Sequence, residues 1–273
     1  MRATIGQPPV RGDVRVFDLE QPRTREMPIH PSHEPGYLYS LYRRHEDSYR
    51  PDQTGPRSSA SGIIVCMEHS GTHIDAISHQ AEDMTLSGGV PVDGIQTAYG
   101  FTRGGVEEIP PIVAPGVLLD VPAGLGVEEL EPGRAVTAAE LQGCCARQGV
   151  TIEPGDVVLV RTGNARHWDD AARYLAGPGM DGDASRWLGE VGVLAVGADN
   201  MAWDVLGRPD PEVGLLPGHL LLLARRGIYI IENLLLEELA AAAAYRFSFV
   251  CTPLKLVGAT GSPVRPIALV AAR

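Results

Sequence analysis

The sequence predicts an α/β (α+β) fold with a mixed sheet, in a single domain over residues 1–273. Three observations predict it. Short runs rich in β-branched residues recur along the chain with turn residues between them. Helix-compatible stretches interleave with those runs, which favours crossover connections in the middle of a sheet, while terminal strands can pair antiparallel. Hydrophobic residues make up 44% of the chain, enough for one filled core, and neither a repeat nor a low-complexity linker divides it.

The elements follow in order. Residues 46–61 (EDSYRPDQTGPRSSAS) are polar and rich in breakers, and read as an exposed loop within the domain. GIIVCM at 62–67 and GVLLDV at 116–121 read as buried strands. A helix is predicted over 136–148, because Thr137 followed by Glu140 forms a capping-box pattern and Gly149 supplies the stop. GDVVLV at 155–160, GVLAVG at 192–197 and GIYIIE at 227–232 continue the series of buried strands. The alanine run at 240–244 suggests a second helix over 233–245, and FSFVC at 247–251 is a closing strand. With 5% aromatic residues and 32 glycines, the sheet must pack mainly through aliphatic side chains, and several turns must call on glycine.

Composition excludes several function classes. A formal net charge of −11 argues against a nucleic-acid or anionic-membrane partner, since binding phosphates requires excess Lys and Arg. The first thirty residues carry Asp13, Asp18, Glu20 and Glu26 without the apolar stretch of a signal peptide, and no uncharged apolar run is long enough to span a bilayer. A cytoplasmic location is the default expectation. Cys66, Cys144, Cys145 and Cys251 lack zinc-knuckle spacing, and the vicinal pair cannot bridge without strain, so free and mostly buried thiols are expected.

The chemistry concentrates at residues 69–79, where His69, His73, Asp75 and His79 fall within eleven residues directly after an apolar strand. Fully extended, His69 and His73 would lie roughly 13 Å apart at about 3.3 Å per residue, too far to share an ion. A turn must intervene, and Gly71 is placed to make it. His73 and Asp75 project to the same side of an extended segment and can chelate together, with His69 folded back as a third ligand. Two imidazoles and one carboxylate suit Zn²⁺, Mn²⁺ or Fe²⁺ and leave a position open for water. His79 is then free to act as general base or proton shuttle. The alternative, satisfied surface or core histidines, is the better reading of any lone His but not of four groups at this spacing.

HSGTHIDAISH resembles the H-x-G-T-H-x-D-x-P-x-H signature of the cyclase family that includes bacterial kynurenine formamidases and isatin hydrolases. The likeness extends to Asp18-Leu19 with Met27-Pro28, to Gly155-Asp156 through Arg161-Thr162-Gly163, and to Gly197-Ala198-Asp199-Asn200. It continues in His219 with Glu232-Asn233-Leu234, and in Pro253-Leu254 with the 258–266 loop, all in the family's order. The resemblance implies a swivelling β/β/α-type domain, a homodimer or homotetramer, and hydrolysis of amide or lactam bonds in small aromatic compounds with Zn²⁺ or Mn²⁺. It makes His69, His73 and Asp75 ligands of a first ion and His79 the catalytic histidine. In binuclear members Asp75 would bridge to a second ion held at His219 and Glu232. Ile77 stands where the signature has proline, which changes local stiffness and points towards an isatin-hydrolase-like or uncharacterised branch, in which one ion or two could bind.

Other candidates are more isolated. Glu232 closes an apolar run, where a buried carboxylate needs a cation or donor; metal ligation or metal-linked acid–base catalysis is one reading and a helix N-terminal charge the other. His219, after Pro217-Gly218, reads equally as a ligand or as a substrate contact. Arg161, Asp199 and Asn200 follow apolar strands, where polar groups line a pocket mouth or make structural hydrogen bonds. His30 and His33, with Tyr37 and Tyr39, could reach a substrate or lie in an exposed loop. Phe101, Trp168 and Trp203 are candidate walls for a flat substrate or ordinary core residues. The glycines of 258–266 lack the lysine of a phosphate loop, so nucleotide binding is rejected, and with no G-x-S-x-G elbow a serine-hydrolase route is poorly supported.

The leading expectation is a hydrolase of a carbon–nitrogen bond in a cyclic or N-acylated aromatic substrate, with His79 handling the proton and a cation stabilising the oxyanion. A non-hydrolytic cyclase or dehydratase using the same metal and His79 is the second. A catalytically idle metal-binding or scaffold protein is the third.

Overall fold

The computed structural model describes residues 14–271; Asp13 lies outside them. Nine strands form one mixed sheet: β1 (Val14–Asp18), β4 (His73–Asp75), β5 (Ile112–Asp120), β6 (Val157–Arg161), β7 (Ala195–Ala198), β8 (Tyr229–Glu232), β9 (Arg246–Cys251), β10 (Gly261–Pro263) and β11 (Ile267–Ala271). Two more, β2 (Tyr37–Arg43) and β3 (Ser61–Cys66), pair only with each other among the described residues. The order across the large sheet is β1-β11-β9-β5-β6-β7-β8-β4-β10. β5 to β8 run parallel, and every strand outside them joins antiparallel. This is the mixed α/β architecture that the alternating pattern predicts.

The parallel strands are apolar in succession because both faces are covered. Val117, Leu119, Val158, Val160, Val196 and Ile230 face helices α1 (Ala138–Gln148) and α2 (Gly182–Val191), meeting Leu141, Cys144 and Leu188. Leu118, Val157, Leu159 and Ile231 face the other way, into a core with Phe17, Leu236, Leu239, Phe247 and Phe249. α1 begins as its capping box requires, with Thr137 and Glu140 exchanging backbone hydrogen bonds, and Gly149 closes it in the left-handed conformation. Val136 lies before the helix, in a two-residue ladder with Met180.

Three local expectations are corrected. The helix predicted over 233–245 is only Glu237–Ala241, because Asn233 takes φ 58° and Ala243 φ 48°, and tertiary demands at both ends outweigh alanine propensity. β3 is a strand as GIIVCM predicts, yet it is exposed along its whole length. Within 46–61 the chain forms two single turns of helix, His45–Ser48 and Pro51–Thr54, on a largely exposed excursion. Cys144 and Cys251 are buried, Cys145 is half-buried and Cys66 exposed, all as free thiols.

Candidate metal centre

The turn after β3 is made where the chain must fold back. Gly71 has φ 59°, and a Cβ there would meet the Arg23 guanidinium at 2.7 Å. Arg23 donates to the carbonyls of Ser70 and Thr72, gripping the turn from outside. From inside, Asn233 donates to the Gly71 carbonyl at 2.9 Å, and Thr72 donates to the Asn233 carbonyl at 2.6 Å. The result brings the His69 and His73 rings to 5.2 Å between centroids. β4 then carries His73 and Asp75, and a turn of 3₁₀ helix (Ile77–His79) swings His79 back until its ring is 4.0 Å from that of His69.

The remaining groups arrive from β8 and from a wide helical turn. Antiparallel pairing sets Glu232 directly opposite His73. His219 opens a π-helical segment, His219–Ala224, a rare geometry that is frequent at functional sites. Its orientation is fixed by Asp204, whose buried carboxylate accepts from His219 Nδ1 at 2.9 Å, from Gly218 N at 2.7 Å and from His219 N at 3.3 Å. Nε2 of His219 is thereby aimed at Asp75 and Glu232. His73 is held in the same manner, with Nδ1 on the Gly71 carbonyl at 2.8 Å and Nε2 facing inward.

The inward-facing atoms of His73 and His219 are spaced from the two carboxylates as ligands rather than as hydrogen-bond partners, whereas His69 hydrogen-bonds Asp75 Oδ1 through Nδ1 and Thr260 Oγ1 through Nε2, both at 2.8 Å. His73 Nε2 lies 3.5 Å from Asp75 Oδ1 and 3.4 Å from Glu232 Oε2; His219 Nε2 lies 3.6 Å from Asp75 Oδ2 and 3.4 Å from Glu232 Oε1. Two atoms each about 2.1 Å from a shared tetrahedral ion sit about 3.4 Å apart. Asp75 Oδ2 and Glu232 Oε1 are buried without any hydrogen-bond partner, a costly state that a cation relieves. Two groups of close ligand atoms share Asp75, one with His69 and His79 and one with His219 and Glu232. These residues would fit one divalent ion or two, with Asp75 common to both groups.

The electrostatics agree. Burial alone would lower the pKa of His73, but Asp75 and Glu232 raise it; burial likewise opposes, and Asp204 and Glu232 overcome, in raising that of His219 well above the usual value. The two carboxylates thus draw protons onto the imidazoles opposite, and a divalent ion would displace those protons. Burial and then Asp75 raise Glu232, whereas the imidazoles of His79, His69 and His73 overcome burial to hold Asp75 well below the carboxylate range. Burial, with neighbouring imidazoles, pushes His79 down to about 3, leaving it neutral near pH 7.

His69, His73, His79, His219 and Glu232 line one cavity of about 150 Å³, walled by Met201, Leu206 and Leu216. His30 and His33 line it too, with the His33 ring 5.0 Å from that of His69. The other sequence candidates lie elsewhere. Arg161 pairs with Asp120 at 2.9 Å and Glu237 at 3.2 Å, and Asp199 accepts from Thr162 and Gly163. Asn200 donates to the carbonyls of Pro178 and Trp203. Tyr37 is not among the cavity-lining residues and packs against a cluster that contains Met201, and Phe101 pairs its backbone with Gly258. Trp168 and Trp203 are core residues. Sequence reasoning missed Asp204 and the apolar wall; Asp204 is fifteen residues from the histidine it positions, with no local pattern to announce it.

A family model described as "Putative cyclase" matches residues 17–205. Cyclase-like protein 2 of Oryza sativa subsp. japonica is 28% identical over 217 residues, 78% of this chain but only 66% of that protein. The kynurenine formamidase of Bacillus cytotoxicus is 28% identical over 256 residues, 92% of this chain and 95% of the relative. Among solved structures, a novel cyclase superposes with a TM-score of 0.83 at 30% identity, covering 93% of this chain and 88% of its own. Isatin hydrolase A from Labrenzia aggregata, bound to benzyl benzoate, gives 0.70 at 26% identity over 95% and 94%.

Proposed function

The chain belongs to the cyclase family, and from that premise we propose that it is a metal-dependent hydrolase that opens a carbon–nitrogen bond, amide, lactam or N-formyl, in a small aromatic or cyclic substrate. The observation that carries this reading is the pair of orphaned carboxylate oxygens, Asp75 Oδ2 and Glu232 Oε1, facing imidazole nitrogens at ligand spacing. The kynurenine formamidase and isatin hydrolase relatives supply the bond class.

His69, Asp75, His219 and Glu232, with His73 at ligand spacing from both carboxylates, would hold Zn²⁺ or Mn²⁺, as one ion or two. A bound divalent cation supplies Lewis acidity and acidifies a coordinated water towards neutrality. The chain supplies the rest. Met201, Leu206 and Leu216 offer an apolar wall that holds a flat ring and limits solvent. Neutral and lining the cavity, His79 takes the proton of the attacking water and returns it to the departing nitrogen, so that the hydrolysis is balanced. Glu232, held opposite His73, can share that proton when it is not fully engaged as a ligand.

The test is turnover of N-formylkynurenine, isatin and a small lactone panel by the purified chain with Mn²⁺ or Zn²⁺ added. Hydrolysis of an amide or lactam that His79→Ala abolishes, with cation affinity retained, supports the proposal. Tight cation binding without turnover of any of them rejects hydrolysis and favours a cyclase or dehydratase.

A further inference from the structure

A chain of buried polar groups ends on the turn that carries His73. Tyr174, in the short helix Ala171–Leu175, is 1% exposed, and its ring packs edge-on against Trp168 with 5.0 Å between centroids. Its hydroxyl lies 3.0 Å from Asn233 Oδ1, and Asn233 Nδ2 lies 2.9 Å from the Gly71 carbonyl. The same carbonyl is 2.8 Å from His73 Nδ1. Asn233 is held through its backbone as well, at φ 58°, where its N–H donates to the Asn200 carbonyl at 2.9 Å and its carbonyl accepts from Thr72. Asparagine tolerates this left-handed conformation better than most residues do.

Chemistry settles every donor along the chain. The Gly71 carbonyl can only accept, so Asn233 turns its amide nitrogen to Gly71 and its oxygen to Tyr174, whose hydroxyl therefore donates. For the same reason His73 carries a proton on Nδ1, which leaves the lone pair of the neutral ring on Nε2, the atom facing Asp75 and Glu232. Two donors on one carbonyl fix its direction more narrowly than one, and a hydroxyl donating to the amide oxygen strengthens the donation of the amide itself.

We propose that Tyr174 and Asn233 are positioning residues that hold His73 in the tautomer and orientation of a metal ligand, with Tyr174 acting only through the Asn233 amide. Neither residue lines the cavity. The His219 side of the centre is oriented by one carboxylate, Asp204, whereas the His73 side is oriented by this neutral relay. The inference rests on the reading of His73 as a ligand.

Calorimetric titration of the metal-stripped full chain with Zn²⁺ or Mn²⁺ tests it. Asn233→Gly removes the amide and leaves a residue that adopts the same backbone freely; Tyr174→Phe removes one hydroxyl and keeps the ring, which shares a cluster with Met201 of the cavity wall. Asn233→Gly should weaken cation affinity about 10-fold, the lower end for a group that orients a ligand from outside, and Tyr174→Phe about 3-fold. The double variant should lose no more than Asn233→Gly alone, because the hydroxyl has no route except the amide. Nuclear magnetic resonance of the Zn²⁺-loaded protein with ¹⁵N-labelled histidine gives a second readout: the His73 Nδ1 proton, protected in the parent, should exchange faster in both variants. With cation saturating, Tyr174→Phe should keep the parent KM. Should Asn233→Gly misfold, Tyr174→Phe still decides through affinity and proton exchange. Losses that add in the double variant overturn the relay. A lowered melting temperature with affinity and Nδ1 exchange unchanged marks a purely structural role and overturns the proposal. Cation bound alike by parent and variants sinks this inference alone, whereas a parent that binds neither cation sinks the metal-centre reading with it.

Discussion

Replacing Asp204 with asparagine exchanges one oxygen for an amide nitrogen and should disable His219, a candidate ligand at another position, through the hydrogen bond between them. In the native arrangement one carboxylate oxygen accepts from Gly218 N, and the other accepts from both His219 N and His219 Nδ1. Asparagine keeps the first bond but turns an amide NH₂ towards two donors. To relieve that conflict His219 must accept at Nδ1 and carry its proton on Nε2, the atom that faces Asp75 and Glu232 at 3.6 and 3.4 Å. A protonated Nε2 cannot ligate. Loss of such an orienting partner weakens metal affinity by about 10–100-fold, or roughly 1.4–2.7 kcal/mol. Calorimetric titration of metal-stripped protein with Mn²⁺ or Zn²⁺ measures it, and Asp204→Glu, which preserves acceptance at Nδ1, should recover part of the loss. An Asp204→Asn protein that binds both cations as the parent does would refute the assignment of His219 as a ligand held by Asp204.

Other perturbations probe the same frame. Gly261→Ala should lower cation affinity and cost about 1–3 kcal/mol of stability in urea unfolding, because the new Cβ would stand 2.6 Å from His69 Cε1. Arg161→Met strands the buried Asp120 carboxylate; a loss of about 3–5 kcal/mol is expected from denaturant curves, with cation affinity unchanged, since Arg161 lies outside the cavity. Burial, then the charge of Glu237, raises Asp199 from the ordinary carboxylate range to about 7 in the folded chain. Its contribution to stability is complete below the unfolded value and drains away as pH rises through about 7, so the stability difference between the parent and Asp199→Asn should shrink between pH 4 and 7. A difference that stays flat over that range would show that Asp199 is ionised throughout. Removing metal with a chelator should lower the melting temperature, and restoring Mn²⁺ or Zn²⁺ should raise it again.

Some of this was legible in residue order and some was not, for physical reasons. His69, His73, Asp75 and His79 are contiguous, and the need for a turn at Gly71 follows from chain reach alone. The parallel strands announce themselves because burial on both faces makes them uniformly apolar. Arg161 and Asp199 do stand at or just after the carboxyl ends of such strands, as Glu232 does, but two of the three turn sideways into hydrogen bonds with Asp120 and Thr162, and only coordinates tell them apart. Local rules also cannot say what covers a strand. GIIVCM reads as buried, yet its strand is exposed and pairs only with β2 among the described residues, while the alternating YLYSLYR of β2 escaped notice. The alanine run failed as a helix for the opposite reason: Asn233 spends its left-handed backbone on the His69–His73 turn rather than on a helix start.

The pairing of Glu232 with His73 joins an antiparallel margin, β4 and β10, to the parallel middle of the sheet through a short ladder. Any ion gripped by both residues would act as a rivet across that seam. Its departure should then be felt first as fraying along the β4–β10 border, with cleavage by proteases beginning there, long before the four-stranded centre loosens. Occupancy and mechanical integrity at that border would thus be one quantity seen by two methods.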